Sequence, residues 1–308
     1  MFKKVIKKTR DLYNLPLKIN KIKVEETYDH KNPKVLNGRT LANLNNFLFK
    51  QINKLSDVEF QVYSQWGDDG IIQWLIQRIE IPHKTFIEFG VQNYTESNTR
   101  FLLVNNNWEG LVLDGGRENI EYIVKDMISN FHHIHARCAF ITKENINDLL
   151  SHLPFGQEVG ILSIDIDGND YWVWKEINVI QPVILIMEYN AHFKLNPWTI
   201  PYQADFVREV GNFKMNYWGA SLQSLYDLSK EKGYSFVGCN SAGNNAYFVR
   251  NDKLGTIKAI TPAEGYEFAK FRETRNAKGE WISDRDRLQT MKNLEVYNTQ
   301  REQLEKIG

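Results

Sequence analysis

Three carboxylates fall within six residues in Asp165-Ile166-Asp167-Gly168-Asn169-Asp170, directly after the apolar run Ile161-Leu162-Ser163-Ile164. Residues two apart on a strand share a face, so the spacing predicts Asp165 and Asp167 side by side, with Gly168 turning the chain. Glu188 ends a second apolar run, Val183-Ile184-Leu185-Ile186-Met187, and Asn190 and His192 follow it. Neighbouring strands lie about 4.8 Å apart, so Asp165, Asp167 and Glu188 can converge. Carboxylates so placed repel one another, and at least one keeps its proton unless a cation joins them. One chemistry is therefore a divalent cation (Mg²⁺, Mn²⁺ or Ca²⁺) held by Asp167, Glu188 and Asp165. Another is general-base catalysis by Asp167 or His192. An Asp-rich structural turn is the third reading.

A second constellation precedes it. Glu88 and Gly90 close the run Phe86-Ile87-Glu88-Phe89-Gly90-Val91, and Asp114 closes Gly110-Leu111-Val112-Leu113. A glycine there lets a ligand approach the backbone, and a carboxylate ending the next strand can accept two ribose hydroxyls. The loop Gly90-Val91-Gln92-Asn93-Tyr94 lacks G-x-G-x-x-G, so no helix N-terminus is set to cradle a pyrophosphate. That argues against NAD and for a cofactor with a ribose but no phosphates, such as S-adenosylmethionine.

These residues need strands to carry them. Apolar runs at 86–91, 110–116, 133–140, 161–167 and 183–188 read as strands, alternating with helical spacing at 68–80, 120–128, 146–153 and 171–177. Thr142 is expected to cap one helix, and Ser221 another that ends at Gly233. Ser235–Asn240 and Asn245–Arg250, joined by Ser-Ala-Gly-Asn, read as a hairpin that makes one edge strand antiparallel. The whole predicts an α/β, doubly wound, mostly parallel seven-stranded sheet, with ligands at the carboxyl ends of its strands.

The quoted runs resemble FkbM-like methyltransferases. The resemblance rests on Ser64-Gln65-Trp66-Gly67-Asp68-Asp69-Gly70-Ile71-Ile72, Phe86–Gly90, Glu96-Ser97-Asn98-Thr99-Arg100, Leu162–Trp172 and Gly238-Cys239-Asn240-Ser241-Ala242-Gly243-Asn244-Asn245-Ala246. The family's D-x-[DE]-G-x-[DE] element is present as Asp165, Asp167, Gly168 and Asp170. The likeness spans about residues 57–253. It implies a class I methyltransferase fold, S-adenosylmethionine as donor, and O-methylation, often of sugars, in a subgroup that accompanies bacterial surface-polysaccharide synthesis. By position it would put Glu88 and Gly90 at the methionine end, Asp114 at the ribose, and Asn93, Ser64 and Gln65 near the cofactor. Many relatives carry further glycines where this chain has Gln92, Asn93 and Tyr94. The acids ending strands four and five also look like metal positions of macrocin-type sugar O-methyltransferases.

Composition sets the bounds. With 38 Lys+Arg against 38 Asp+Glu, no whole-chain basic field favours nucleic acid. Cys138 and Cys239, the two cysteines, form no CxxC, and a reducing, cytoplasmic setting is expected. Residues 1–23 carry eight Lys/Arg against Asp11 alone, and could lie on an anionic membrane surface. The expected layout is a basic extension (1–56), a methyltransferase domain (57–253) and a helical appendage (254–308). Tyr171–Trp174, Trp198 and Trp218 could stack on a sugar ring or fill the core. A non-catalytic binding module and a nucleotide-sugar dehydrogenase or epimerase stand as alternatives to an O-methyltransferase acting on a surface glycan or its precursor.

Overall fold

The computed structural model describes residues 32–48, 52, 54–208, 216–270, 280, 282 and 284–308, excluding the side chains of 284–286. The basic segment 1–23 lies outside them. In chain order the elements are α1 (Pro33–Phe47), α2 (Asp68–Ile76), β1 (Thr85–Phe89), α3 (Arg100–Asn106), β2 (Glu109–Asp114), α4 (Arg117–Lys125), α5 (Ile128–Phe131), β3 (Ile134–Cys138), α6 (Ile146–Ser151) and β4 (Ile161–Ile164). They continue with α7 (Asp170–Glu176), β5 (Ile184–Glu188), β6 (Trp198–Thr199), α8 (Leu222–Glu231), β7 (Tyr234–Cys239), β8 (Asn245–Arg250), α9 (Pro262–Gly265), α10 (Asp284–Gln289), β9 (Glu295–Asn298) and β10 (Gln303–Lys306).

Seven strands form one sheet in the order β3-β2-β1-β4-β5-β8-β7. Alternate side chains of each strand face opposite layers. Ile87, Leu111, Leu162 and Leu185 pack with α6, α7 and α8, while Phe86, Val112, Ile161 and Ile184 pack with α2, α3 and α4. The sheet is thus covered on both faces and doubly wound, as the sequence predicts. The β1–β2, β1–β4, β2–β3 and β4–β5 pairs are parallel.

The antiparallel strand is not at the edge as expected. β8 is antiparallel to both β5 and β7, so it inserts second from the edge and β7 takes the rim. Ser221 caps α8, its hydroxyl accepting from the Ser224 N–H at 3.1 Å, and Gly233 follows with φ +86°. Thr142 does not cap α6. Asn145 holds the N-cap position, and Thr142 and Asn145 instead bond each other across the preceding turn.

The C-terminal appendage is not simply helical. β9 pairs with β10 and with β6 in a three-stranded antiparallel sheet. That sheet has its own apolar cluster of Phe193, Ile200, Met291, Val296 and Ile307, so the tail packs on the chain that follows β5. Among the described residues no helix is long and apolar enough to cross a membrane.

Candidate functional site

The order of the sheet reverses between β1 and β4, and such a switch point opens a crevice at the strands' carboxyl ends. Gly90 follows β1 and Asp165 follows β4. Gly90 has φ +72°, and a Cβ on it would lie 1.6 Å from the Asp165 carbonyl oxygen, so this position admits glycine alone. Gln92 (φ +47°) and Tyr94 (φ +62°) take up the left-handed backbone that a glycine adopts freely. Two interactions hold them there. The Gln92 N–H donates to Asp114 Oδ2 at 2.7 Å, and the buried Tyr94 hydroxyl pairs with Thr99 Oγ1 at 2.9 Å.

Two connected clefts open at this point. The larger, about 200 Å³, is walled by Asp114, Phe140, Ile141, Asp167 and Phe206. The smaller, about 130 Å³, is polar, with Gln65, Glu88, Asn93, Asn98 and Asn245 on its walls. Gly90, Gln92 and Asp165 border both.

Asp114 ends β2 on the wall of the larger cleft. Its Oδ1 accepts from the Gly116 N–H at 2.7 Å and Asn119 Nδ2 at 2.9 Å. With Gln92 on Oδ2, the carboxylate is oriented by three donors and keeps lone pairs for a ligand. Glu88 is buried. Its Oε1 accepts from the Asn98 N–H at 2.8 Å and its Oε2 from the Thr99 N–H and hydroxyl. Burial pushes its carboxyl up to about 7 despite these donors, so it shapes the smaller cleft by fixing the 97–99 loop. Asn93 borders that cleft with its Oδ1 on the Thr95 N–H and hydroxyl. Gln65 reaches the same cleft. Ser64 is buried, its hydroxyl bonded to Asp69 at 2.9 Å, so its contribution is to the loop that carries Gln65.

Asp165, Asp167 and Glu188 each offer an oxygen, and these oxygens lie within 4.8 Å of one another. The expected reason for this convergence is corrected. β4 stops at Ile164, and Asp167 has φ +55°, so a turn rather than a shared strand face gathers the trio. Asp170 builds that turn, its carboxylate accepting from the Ile166 N–H at 2.9 Å and the Gly168 N–H at 3.0 Å. Burial pushes Asp170 up to about 7. Burial first, then the charges of Glu188, Asp167 and Asp170, hold Asp165 well above the usual carboxylate range. Asp167, half exposed, is salt-bridged to Arg208, whose guanidinium lies 4.5 Å from the centre of the Trp218 ring. A cation thus already stands where the sequence alone suggested a metal.

His192 is buried beside the Phe268 ring and lines neither cleft. The tryptophans resolve toward packing. Trp174 and Trp218 are 1% exposed, Trp172 lies among Tyr171, Tyr202 and Tyr297, and Trp198 donates to Glu305.

Three features of the site escape a linear reading. Phe140, 51% exposed after β3, and Phe206, set against Gly168 where a Cβ would meet its ring at 2.4 Å, give the larger cleft aromatic walls. A phenylalanine just past a strand's carboxyl end, where ligands bind in such sheets, is the signal that could have found the first. The third feature joins two of the runs quoted above. Asp68, fully buried, accepts from Asn240 Nδ2 (3.0 Å), Asn245 Nδ2 (3.0 Å) and the Tyr247 hydroxyl. Nearby, Glu59 accepts from the Ser241 N–H and hydroxyl. The start of α2 is thereby latched to the β7–β8 hairpin, which brings Asn244 and Asn245 to the smaller cleft beside Gln65.

The chain matches no family model and no curated protein. Solved structures similar to it include an S-adenosylmethionine-dependent methyltransferase from Clostridium acetobutylicum, at 11% identity and TM-score 0.37, covering 69% of this chain and 98% of that one. An O-methyltransferase from Bacillus cereus is 11% identical at TM-score 0.39, covering 74% and 95%. The Podospora anserina methyltransferase PaMTH1 is 10% identical at TM-score 0.38, covering 76% and 95%. Likenesses this remote carry no functional weight, and the fold stands on the strand order itself.

Proposed function

We propose that this chain is an S-adenosylmethionine-dependent O-methyltransferase whose acceptor is a sugar hydroxyl of a bacterial surface glycan or its precursor. The observation that carries the reading is the switch-point cleft, with an oriented carboxylate, Asp114, on one wall and the rings of Phe140 and Phe206 on others. The residues fit the cofactor: Asp114 for ribose hydroxyls, Phe140, Ile141 and Phe206 for a flat base, and the amide-rich smaller cleft for an amino-acid end. Bound there, the cofactor supplies a sulfonium methyl carbon for in-line displacement by an acceptor oxygen. Asp167, on the wall of the larger cleft and ion-paired to Arg208, would take the hydroxyl proton, with Asp165, biased toward its protonated form, at the junction of the two clefts. The sugar class rests on the resemblance of the sequence runs.

A metal-assisted version has one observation behind it, the gathering of Asp165, Asp167 and Glu188. These hard oxygens suit Mg²⁺ or Mn²⁺, which would compete with Arg208 for Asp167.

Thermal shift with S-adenosylhomocysteine, NAD and UDP-sugars tests the reading. Stabilisation by the first alone supports it. Stabilisation by NAD or a UDP-sugar alone returns the nucleotide-sugar alternative, and binding without methyl transfer across a glycan panel returns the non-catalytic module. Full methylation in EDTA removes the metal version, whereas loss restored by added Mg²⁺ or Mn²⁺ supports it.

A further inference from the structure

Helix α1 shows two unlike faces. Val35, Gly38 and Ala42 are buried, and this side packs on Phe60, Val62 and Phe101. A Cβ on Gly38 would lie 2.5 Å from Val62, so the helix sits tight against the body and its outer face is fixed outward. That face carries Leu36, Leu44 and Phe47, which with Thr40 form one stripe at i, i+4, i+8 and i+11, and Leu41 lies alongside. Phe47 is 83% exposed and Leu44 47%. The helix has no acidic residue, and its two charges, Lys34 and Arg39, flank the stripe on opposite sides.

An apolar stripe bordered by cations is the pattern of a helix lying in a membrane interface. Its sequence context agrees. Residues 1–23, in the chain that leads into the helix, bring eight Lys/Arg against Asp11. Glu25, Glu26 and Asp29 in the link reduce the excess without reversing it.

We infer that the outer face of α1 docks on an anionic lipid surface, with Leu36, Leu44 and Phe47 entering the acyl boundary. Anionic lipid is the occupant that matches both the apolar stripe and the sign of the charge. The opposite, buried side of α1 packs against the 60–63 chain that runs into Gln65 of the smaller cleft.

Co-sedimentation of the full chain with vesicles tests this. Phosphatidylcholine vesicles are compared with vesicles in which about one-third of the lipid is phosphatidylglycerol. The wild type should pellet with the anionic vesicles only, and less as salt rises. Leu44→Glu with Phe47→Glu, both on the exposed stripe, should lower the partition by about tenfold or more without changing the melting temperature. Lys3, Lys4, Lys7 and Lys8 all replaced by Gln should weaken it comparably. Failure of the wild type to pellet would overturn the inference, as would undiminished pelleting of the Leu44→Glu/Phe47→Glu chain. A vesicle-free dimer that Phe47→Glu converts to monomer would also overturn it, assigning the face to a second copy.

Discussion

Replacing Asp68 by Ala should cost more than any surface change in this chain. Its carboxylate receives three buried side-chain donors, from Asn240, Asn245 and Tyr247. Each donor left without a partner costs about 1–3 kcal/mol. Relief of the buried carboxylate offsets part of this, because burial already raises Asp68 above its ordinary range. The expected net is a loss of about 3–6 kcal/mol, a large share of the roughly 5–15 kcal/mol that holds a domain together. At about 2–4 °C per kcal/mol for a domain of this size, the melting temperature should fall by about 6–24 °C. Circular dichroism melts measure it. Tyr247→Phe removes one donor and should cost about 1 kcal/mol. In Asp68→Ala/Tyr247→Phe the hydroxyl is no longer stranded, so the double variant should lose less than the two single losses added. An Asp68→Ala protein melting within about 2 °C of wild type, or strict additivity in the double variant, would show that the latch does not hold the hairpin.

Asp114→Ala should weaken S-adenosylhomocysteine binding by about 1–3 kcal/mol in calorimetry, and Asp114→Asn less, since one oxygen still accepts from Gly116 and Asn119. Unchanged affinity in a folded Asp114→Ala chain removes the ribose role. Gly90→Ala forces a Cβ onto the Asp165 carbonyl and should give little soluble protein, so a soluble variant with normal ligand binding contradicts the close approach of β1 and β4. Burial pushes Asp170 up to about 7 in the folded chain, above its ordinary value of 3.8. The folded state therefore holds the extra proton between those values, and this contribution to stability is lost as pH rises from about 4 through 7. Asp170→Asn should flatten the wild-type decline over that range; an unchanged pH profile in melts would show that the group does not titrate there.

Much of the scaffold is legible in the chain because its signals are local. The apolar runs ending in Glu88, Asp114 and Glu188 become strands, Ser221 caps a helix, and Ser-Ala-Gly-Asn turns a hairpin. What local signals do not carry depends on distant partners. Nothing local says that β8 pairs with β5 ahead of β7, or that β9 and β10 are strands, since each is four residues long and gains its partners from β6 and from the other. Strand alternation also fails at Asp167, because a left-handed residue resets which way the side chain points. The acidic trio was nonetheless identifiable from its residue types. Arg208, which neutralises part of it, was not, because it lies 41 residues downstream in a stretch without periodicity. His192 looked eligible because it follows the acidic end of β5, yet its ring is buried beside Phe268.

The latch between α2 and the hairpin also sets a timetable for biosynthesis. Asp68 and Asn240 are separated by 172 residues. At about 5–20 residues per second, the carboxylate leaves the ribosome roughly 10–35 s before its amide partners exist. Over the last part of that interval, once β5 is made, it still lacks β8, so its strand edge is bare and its apolar faces are only partly covered. A nascent chain halted after β5 should therefore be recognised by chaperones and degraded by proteases, and release of the hairpin should be the moment at which the whole sheet becomes protected.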